Sequence, residues 1–341
     1  MKIMVVGDLH FGVRNNSQAY LDFQTNWFLK ELIPNIEKHK CDKVVFLGDV
    51  FDSRNSLSPV IVNRVRELFK ILTKVTDVHC IVGNHDIYYR NNKNIHSLTI
   101  LEDQGVTVYE NPTEITFGDK KALMLPWIVK DEQEDVMKML VNNEYDLCFG
   151  HLEINNFEMV PGVFEDKGFK HDLFSNCENV YSGHFHLRRK HDNIQYTGTP
   201  YELTWSDYMD VKGVYIYDTD TSKEEFVETK GTPQHIKLSF DEHREVEKEE
   251  VDNNILRVKF LKNCSEVDKI NIIERINSLN PIACVVDDES DSDFDSDEDI
   301  EASIKDTMGF LNEFLNIIEI PEDLDKKVLR EMLNEMYEDC A

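Results

Sequence analysis

The 341-residue chain is 41% hydrophobic and 10% aromatic, enough apolar material for a sizeable core and too much for a globally disordered polypeptide. Its formal net charge of −29 is unevenly spread: residues 1–90 hold 12 Lys/Arg against 10 Asp/Glu, residues 91–240 hold 14 against 26, and residues 241–341 hold 11 against 30. Such acidity argues against strong unaided attraction to a polyanion, but not against a grip supplied by bound metals or a partner.

From the N-terminus, short β-branched-rich runs bounded by turn residues read as strands at 2–6, 43–47, 79–82, 122–125, 147–149, 179–181 and 213–217. Helices intervene at 18–39 and 59–73, the second with Ser58 as N-cap and Pro59 at its first helical position. Strands alternating with helices predict an α/β fold. Past residue 235 the texture changes. Residues 241–252 hold seven Asp/Glu and read as a solvated loop, and 255–261, 267–279 and 282–286 read as strand, helix and strand. Residues 287–301 carry ten Asp/Glu and read as a disordered linker. Two amphipathic helices follow at 304–318 and 324–337, around Pro321. The expected domains are therefore 1–235, a small α+β module at 236–286, an acidic linker at 287–302 and a helix pair at 303–341.

No run of about 18 apolar residues occurs, and the apolar N-terminal stretch is too short for a signal peptide, so a soluble, unexported, cytoplasmic protein with no membrane span is expected. Seven cysteines, at 41, 80, 148, 177, 264, 284 and 340, form no C-x-x-C motif and read as reduced, mostly buried thiols.

Five motifs fall where a predicted strand ends: Gly7-Asp8-Leu9-His10, Gly48-Asp49-Val50-Phe51-Asp52, Gly83-Asn84-His85-Asp86, Gly150-His151 and Gly183-His184-Phe185-His186. Each opens with glycine, which lets the backbone turn and aim the next side chain into a cleft. In α/β sheets such clefts lie beyond the carboxyl ends of strands. Mixed Asp and His donors suit Mn²⁺ or Fe²⁺ better than Mg²⁺ or Ca²⁺. Residues two apart on an extended chain share a side, so Asp8 and His10 can serve one ion, while His184 and His186 can each serve one of two adjacent ions. Asp52 and Asp86 read either as acceptors that orient histidines or as turn caps.

The ordered set D-x-H, G-D-x-x-D, G-N-H-D, G-H and G-H-x-H resembles that of the calcineurin-like metallophosphoesterase superfamily. Within it, residues 48–54 reading GDVFDSR, Thr197-Gly198-Thr199-Pro200 after H-x-H, and a small module followed by a helical tail resemble the SbcD-type nuclease subunits of double-strand-break repair, especially phage-encoded recombination relatives. The resemblance implies an α/β fold built as a two-sheet β-sandwich flanked by helices in four layers. It also implies two divalent ions about 3.5–4 Å apart, Mn²⁺ by family preference. One would be held by Asp8, His10, Asp49 and His186, the other by Asp49, Asn84, His151 and His184, with Asp49 bridging. His85 matches the family's catalytic histidine, beside the scissile phosphate rather than on a metal. The implied activity is a Mn²⁺-dependent DNA nuclease, exonucleolytic on duplex ends and endonucleolytic on single strands. Implied partners are DNA, a second copy through the helix around 60–72, and an SMC-like ABC ATPase clamped by the C-terminal helices.

Two other functions compete. A phosphatase on a non-DNA substrate would use the same metal core, but its phosphoprotein branch carries G-D-x-V-D-R-G and G-N-H-E, where this chain has Ser53 before Arg54 and Asp86 after His85. A non-catalytic adaptor is disfavoured by the complete donor set. Arg188-Arg189-Lys190-His191, Arg14 and Arg54 read either as phosphate grips or as solvated charge. Trp127 reads as a core or cleft-wall aromatic. The histidines at 39, 79, 96, 171, 191, 235 and 243 lack a ligand context.

Overall fold

The computed structural model describes residues 1–89, 91–241, 244–261 and 264–287. Asp287, expected to open the acidic linker, instead ends a strand; residues 288–302 and the helix pair at 303–341 lie outside the described residues, as do His243 and Cys340.

Alternation along the strands sets the architecture. In Lys2–Val6, Met4 and Val6 face one way and Ile3 and Val5 the other, yet all four are fully buried. Val44 and Phe46 against Val45 and Leu47, or Leu123 and Leu125 against Ala122 and Met124, repeat the pattern. A strand buried on both faces needs a layer on each side. Ile3, Val5, Val45, Leu47 and Ile81 accordingly meet Ala122, Met124, Leu147, Phe149 and Tyr181 between two sheets. The opposite faces are covered by helices, so the expected four-layer sandwich is what forms.

The first sheet has six strands in the order Lys223–Glu228, Gly213–Asp218, Lys2–Val6, Lys43–Phe46, Asp77–Ile81 and Thr107–Tyr109. The last four are parallel, and the first two join antiparallel. The second sheet runs Arg189–His191, Ile194–Tyr196, Cys177–Gly183, Tyr145–His151, Lys120–Leu125 and Thr113–Phe117, with a parallel centre and antiparallel edges. Every motif-bearing strand is parallel to its motif-bearing neighbour, so the motifs collect at one end of each sheet.

The helix expected at 18–39 is interrupted. Gln18–Trp27 passes into a π-turn at Phe28–Leu32 before Ile33–His39 resumes. Pro34 is the physical cause: it has no N–H for the Lys30 carbonyl and its ring crowds that oxygen, so the ladder widens just ahead of it. Helix Pro59–Leu72 starts where expected, although Ser58 makes no side-chain cap hydrogen bond. Its Ile61, Val65, Leu68, Phe69 and Leu72 are buried against the first sheet beside Phe28 and Phe46, so this stripe packs inward.

A third, three-stranded parallel sheet comprises His235–Phe240, Ile255–Phe260 and Ala283–Asp287, with helix Glu266–Ser278 beside it. That helix is capped by Ser265, whose side chain accepts the Asp268 N–H. The acidic stretch expected as loop contains a helical turn, Lys248–Val251, because Val251 is fully buried with Leu238, Phe240, Leu256 and Val258. The module leans on the main body through Ile255, through Arg257 4.7 Å from the Trp205 ring centre, and through a 2.9 Å contact between His235 Nδ1 and Glu202.

Candidate metal centre

The exit of Lys2–Val6 carries Asp8 and His10, whose loop is held by backbone bonds. The Leu9 and His10 N–H groups both donate to the Asp49 carbonyl, at 3.1 and 3.0 Å. Buried Gln24 donates to the Leu9 and His10 carbonyls from the helix behind. Asp8 accepts the His184 N–H at 2.9 Å, a bond between the exit loops of opposite sheets. Three of the assembled side chains stand on left-handed backbone: His10 and Asp49 at φ 47° and His184 at φ 86°. Such positions cost of order 1–3 kcal/mol each and persist where the surroundings enforce them.

The motif glycines serve two purposes. Gly48, at φ 97°, makes the turn expected of it. Gly183 is needed for space instead, since a Cβ there would lie 2.3 Å from Asp8 Oδ1.

Seven of the eight expected site residues converge in two sets around Asp49, and the eighth, His85, lies beside the first with its ring centre 4.9 Å from that of His10. In the first, His10 and His186 bring their Nε2 atoms within 3.0 Å, and Asp8 Oδ2 lies 4.0 Å from His10 Nε2. In the second, Asn84 Oδ1 lies 2.8 Å from His151 Nε2 and 2.9 Å from His184 Nδ1. Asp49 Oδ2 faces both sets, 3.8 Å from His10 Nε2 and 3.3 Å from His151 Nε2. His151 is the last residue of its strand rather than a loop residue beyond it, and its Nδ1 meets the Leu47 carbonyl at 2.7 Å, which turns Nε2 into the cluster.

The buried charges of the cluster act strongly on one another. Burial, then the neighbouring Asp49, pushes the Asp8 carboxyl up to about 7. Burial alone would raise Asp49 too, but the His151 and His85 imidazoles hold it well below the usual carboxylate range. Against its own burial, His10 is lifted to about 9 by Asp52, Asp49 and Asp8, whereas burial and the adjacent His10 charge push His186 down to about 3. Imidazole nitrogens, carboxylate oxygens and an amide oxygen gathered in one buried cluster are the donors that a pair of divalent cations takes, so the donor set fits them.

His85 belongs to neither set. Its N–H donates to Asp49 Oδ1 at 2.7 Å, and its Nδ1 lies 2.6 Å from the Asp52 carbonyl, leaving Nε2 as the working edge. Burial lowers its pKa, with the nearby charges of His10 and Arg54 acting in the same direction. The two ambiguous carboxylates part company. Asp52 Oδ1 lies 3.4 Å from His10 Nδ1, behind a ring it can orient. Asp86 touches no imidazole; it accepts the Val50, Phe51 and Gly83 N–H groups and so shapes the loops.

A family model described as calcineurin-like phosphoesterase matches residues 1–273. The chain belongs to that family. It is a hydrolase of phosphate esters with a centre that could hold divalent metal. It is 27% identical to exonuclease subunit 1 of Enterobacteria phage T4 over 347 residues, covering 99% of this chain and 98% of that protein. It is 20% identical to the DNA double-strand break repair protein Mre11 of Nanoarchaeum equitans over 306 residues, 82% of each. A solved archaeal phosphodiesterase overlaps with a TM-score of 0.36 at 14% identity, covering 67% of this chain and all of that one.

Around this phosphoesterase centre the structure adds residues the motifs did not reveal. Glu153 Oε1 lies 3.4 Å from His184 Nε2, on the far side of the ring from Asn84. It lies two residues past His151, beyond the end of that strand, where alternation gives no signal of which way it points. Lys212, buried between Asp207 at 2.7 Å and Asp210 at 3.1 Å, donates to the His186 carbonyl at 2.7 Å. Trp127 is cleft wall, its ring 5.1 Å from that of His184. With Met137, Phe169 and Leu173 it lines a cavity of about 420 Å³ that His151 and Glu153 also border.

The basic run is occupied within the fold. Arg189 pairs with Glu158 and Asp210, Lys190 with Glu224, and Arg188 packs over Phe226. Among the remaining histidines, His39, His79, His96 and His235 face Glu225, Tyr109, Glu110 and Glu202. His171 and His191, expected to lack a ligand context, lie against each other instead. The six cysteines among the described residues are free, five of them buried. No helix among those residues is long and apolar enough to cross a membrane.

Proposed function

We propose that this phosphoesterase is a two-metal DNA nuclease: Mn²⁺-dependent, exonucleolytic on duplex ends and endonucleolytic on single strands, and the nuclease subunit of a recombination complex. The observation that carries the reading is the sharing of Asp49, one oxygen of which faces both donor sets. Asp8, Asp49, His10 and His186 would hold one ion, and Asp49, Asn84, His151 and His184 the other. Bound there, the cations supply Lewis acidity that neutralises a phosphodiester and makes water acidic enough to attack it. The nearly full-length likeness to an exonuclease subunit, and the weaker one to a break-repair protein, support DNA as substrate.

The chain's own residues account for the rest. His85 is aimed by the Asp52 carbonyl, and burial keeps it neutral until an anion arrives. A phosphate at Nε2 favours the imidazolium, which can then give the leaving oxygen its proton. The Trp127 wall offers an apolar surface beside the second donor set, suited to the chain flanking the scissile bond. The remaining partners belong to the same proposal: a second copy of this chain, and an SMC-like ABC ATPase engaged by residues 303–341.

The test is digestion of end-labelled duplex and single-stranded DNA with Mn²⁺, with and without the ATPase. Asp49→Ala should lose both metal uptake and cleavage. His85→Gln should keep two Mn²⁺ yet cleave roughly 10²–10⁴-fold more slowly. Preference of the wild type for a phosphomonoester over DNA would move the assignment to a phosphatase.

A further inference from the structure

Away from the metal centre, His171, His191 and Asp192 bring three donor atoms together. His171 Nε2 lies 3.1 Å from His191 Nδ1, and Asp192 Oδ2 lies 3.6 Å from the first and 3.5 Å from the second. A tetrahedral ion with bonds of about 2.0–2.1 Å holds its ligands roughly 3.3–3.4 Å apart. The triangle thus has the size of one face of such a tetrahedron. A hydrogen bond between the imidazoles accounts for one edge, and the Asp192 carboxylate oxygen, almost equidistant from both nitrogens, completes the triangle.

The surroundings hold this triangle open for use. Asp192 makes the turn between Arg189–His191 and Ile194–Tyr196 at φ 49°, a left-handed conformation that aspartate tolerates. His171 opens the 3₁₀ turn His171–Phe174. The next residue of the hairpin, Asn193, donates to the Phe174 and Cys177 carbonyls at 2.8 and 2.7 Å, which ties the two segments together beside the donors. Across the His171 ring, the exposed Asp172 carboxylate lies 3.8 Å from Nδ1, so Nε2 is the nitrogen turned toward His191 and Asp192.

We propose that His171, His191 and Asp192 form a third metal site, separate from the phosphoesterase centre and open at its fourth position to water. Two imidazoles and one carboxylate select a borderline ion of the Zn²⁺ class over Mg²⁺ or Ca²⁺. The ion would bind the excursion between His151 and His184 to the hairpin that follows His186. This assignment stands whether or not DNA is the substrate.

The experiment loads full-length protein with Mn²⁺ and titrates Co²⁺, a spectroscopic substitute for Zn²⁺, counting bound metal after gel filtration. Wild type should take up one equivalent more than His171→Ala or His191→Ala and show an intense four-coordinate visible band that both variants lack. Direct Zn²⁺ titration should give an affinity at least about 10-fold weaker in Asp192→Ala. All three positions reach the surface, and circular dichroism checks that the variants fold. Equal metal counts and spectra in wild type and variants would overturn the site.

Discussion

The Nε2 atoms of His10 and His186 approach to 3.0 Å although the two residues leave different sheets. A proton shared from His10 can bridge that gap, and so could a cation that takes both nitrogens as donors. His186→Gln should therefore weaken one ion by at least about 10-fold and spare the other. Electron paramagnetic resonance counting of free Mn²⁺ against protein would read this directly, and uniform weakening of both ions would contradict the division into two sets.

Glu153 tests the support behind a donor. Its contact with His184 Nε2 leaves Nδ1 to face Asn84, and the His184 interaction holds the Glu153 carboxyl below its ordinary value. Glu153→Gln should lower metal affinity about 10–100-fold without unfolding the protein. Calorimetric Mn²⁺ titration, checked against thermal denaturation of the metal-free variant, separates this outcome from general damage.

Asp207 and Lys212 give a pH signature. Burial works against the Asp207 carboxylate, but Lys212 and His186 hold its pKa down at about 2. The folded value lies below the unfolded one of about 3.8, so the stabilisation is complete above roughly pH 4 and is lost as pH falls through about 2. It amounts to roughly 2 kcal/mol. Asp207→Asn, which leaves Lys212 buried against one fewer charge, should cost about 3 kcal/mol at neutral pH. Urea denaturation between pH 2 and 7 should show the gap between variant and wild type narrowing toward pH 2; a constant gap would contradict the linkage.

The chemistry of the centre was legible because it sits in short motifs at strand exits, where residue type and spacing survive in the sequence. Its supports were not. Lys212 reaches the His186 carbonyl from 26 residues away, so neighbours in sequence gave no hint of the contact; the same holds, away from the centre, for His171 and His191, 20 residues apart. Edge strands escaped for another reason. Lys223–Glu228 is mostly exposed and Thr113–Phe117 half so, and a strand wetted on one side lacks the continuous apolar run that marks the central ones. Pro34 signalled that the helix at 18–39 would be interrupted, but not that the interruption would be a π-turn at Phe28–Leu32. Ser58 marked a helix start correctly while making no cap bond, since position and hydrogen bonding are separate properties.

Each of the two donor sets draws on both sheets. Asp8 and His10 leave the first and His186 the second; Asn84 leaves the first, His151 and His184 the second. A cation held by either set would thus be a rivet through the sandwich, and the hydrophobic seam of Ile3, Val5, Leu147 and Phe149 sets how far the rivet would have to reach. Trimming a methyl group there, remote from any phosphate, would shift one half of each cage against the other, so interior packing becomes a tuning screw for turnover. Metal loading should in turn raise the force needed to pry the layers apart.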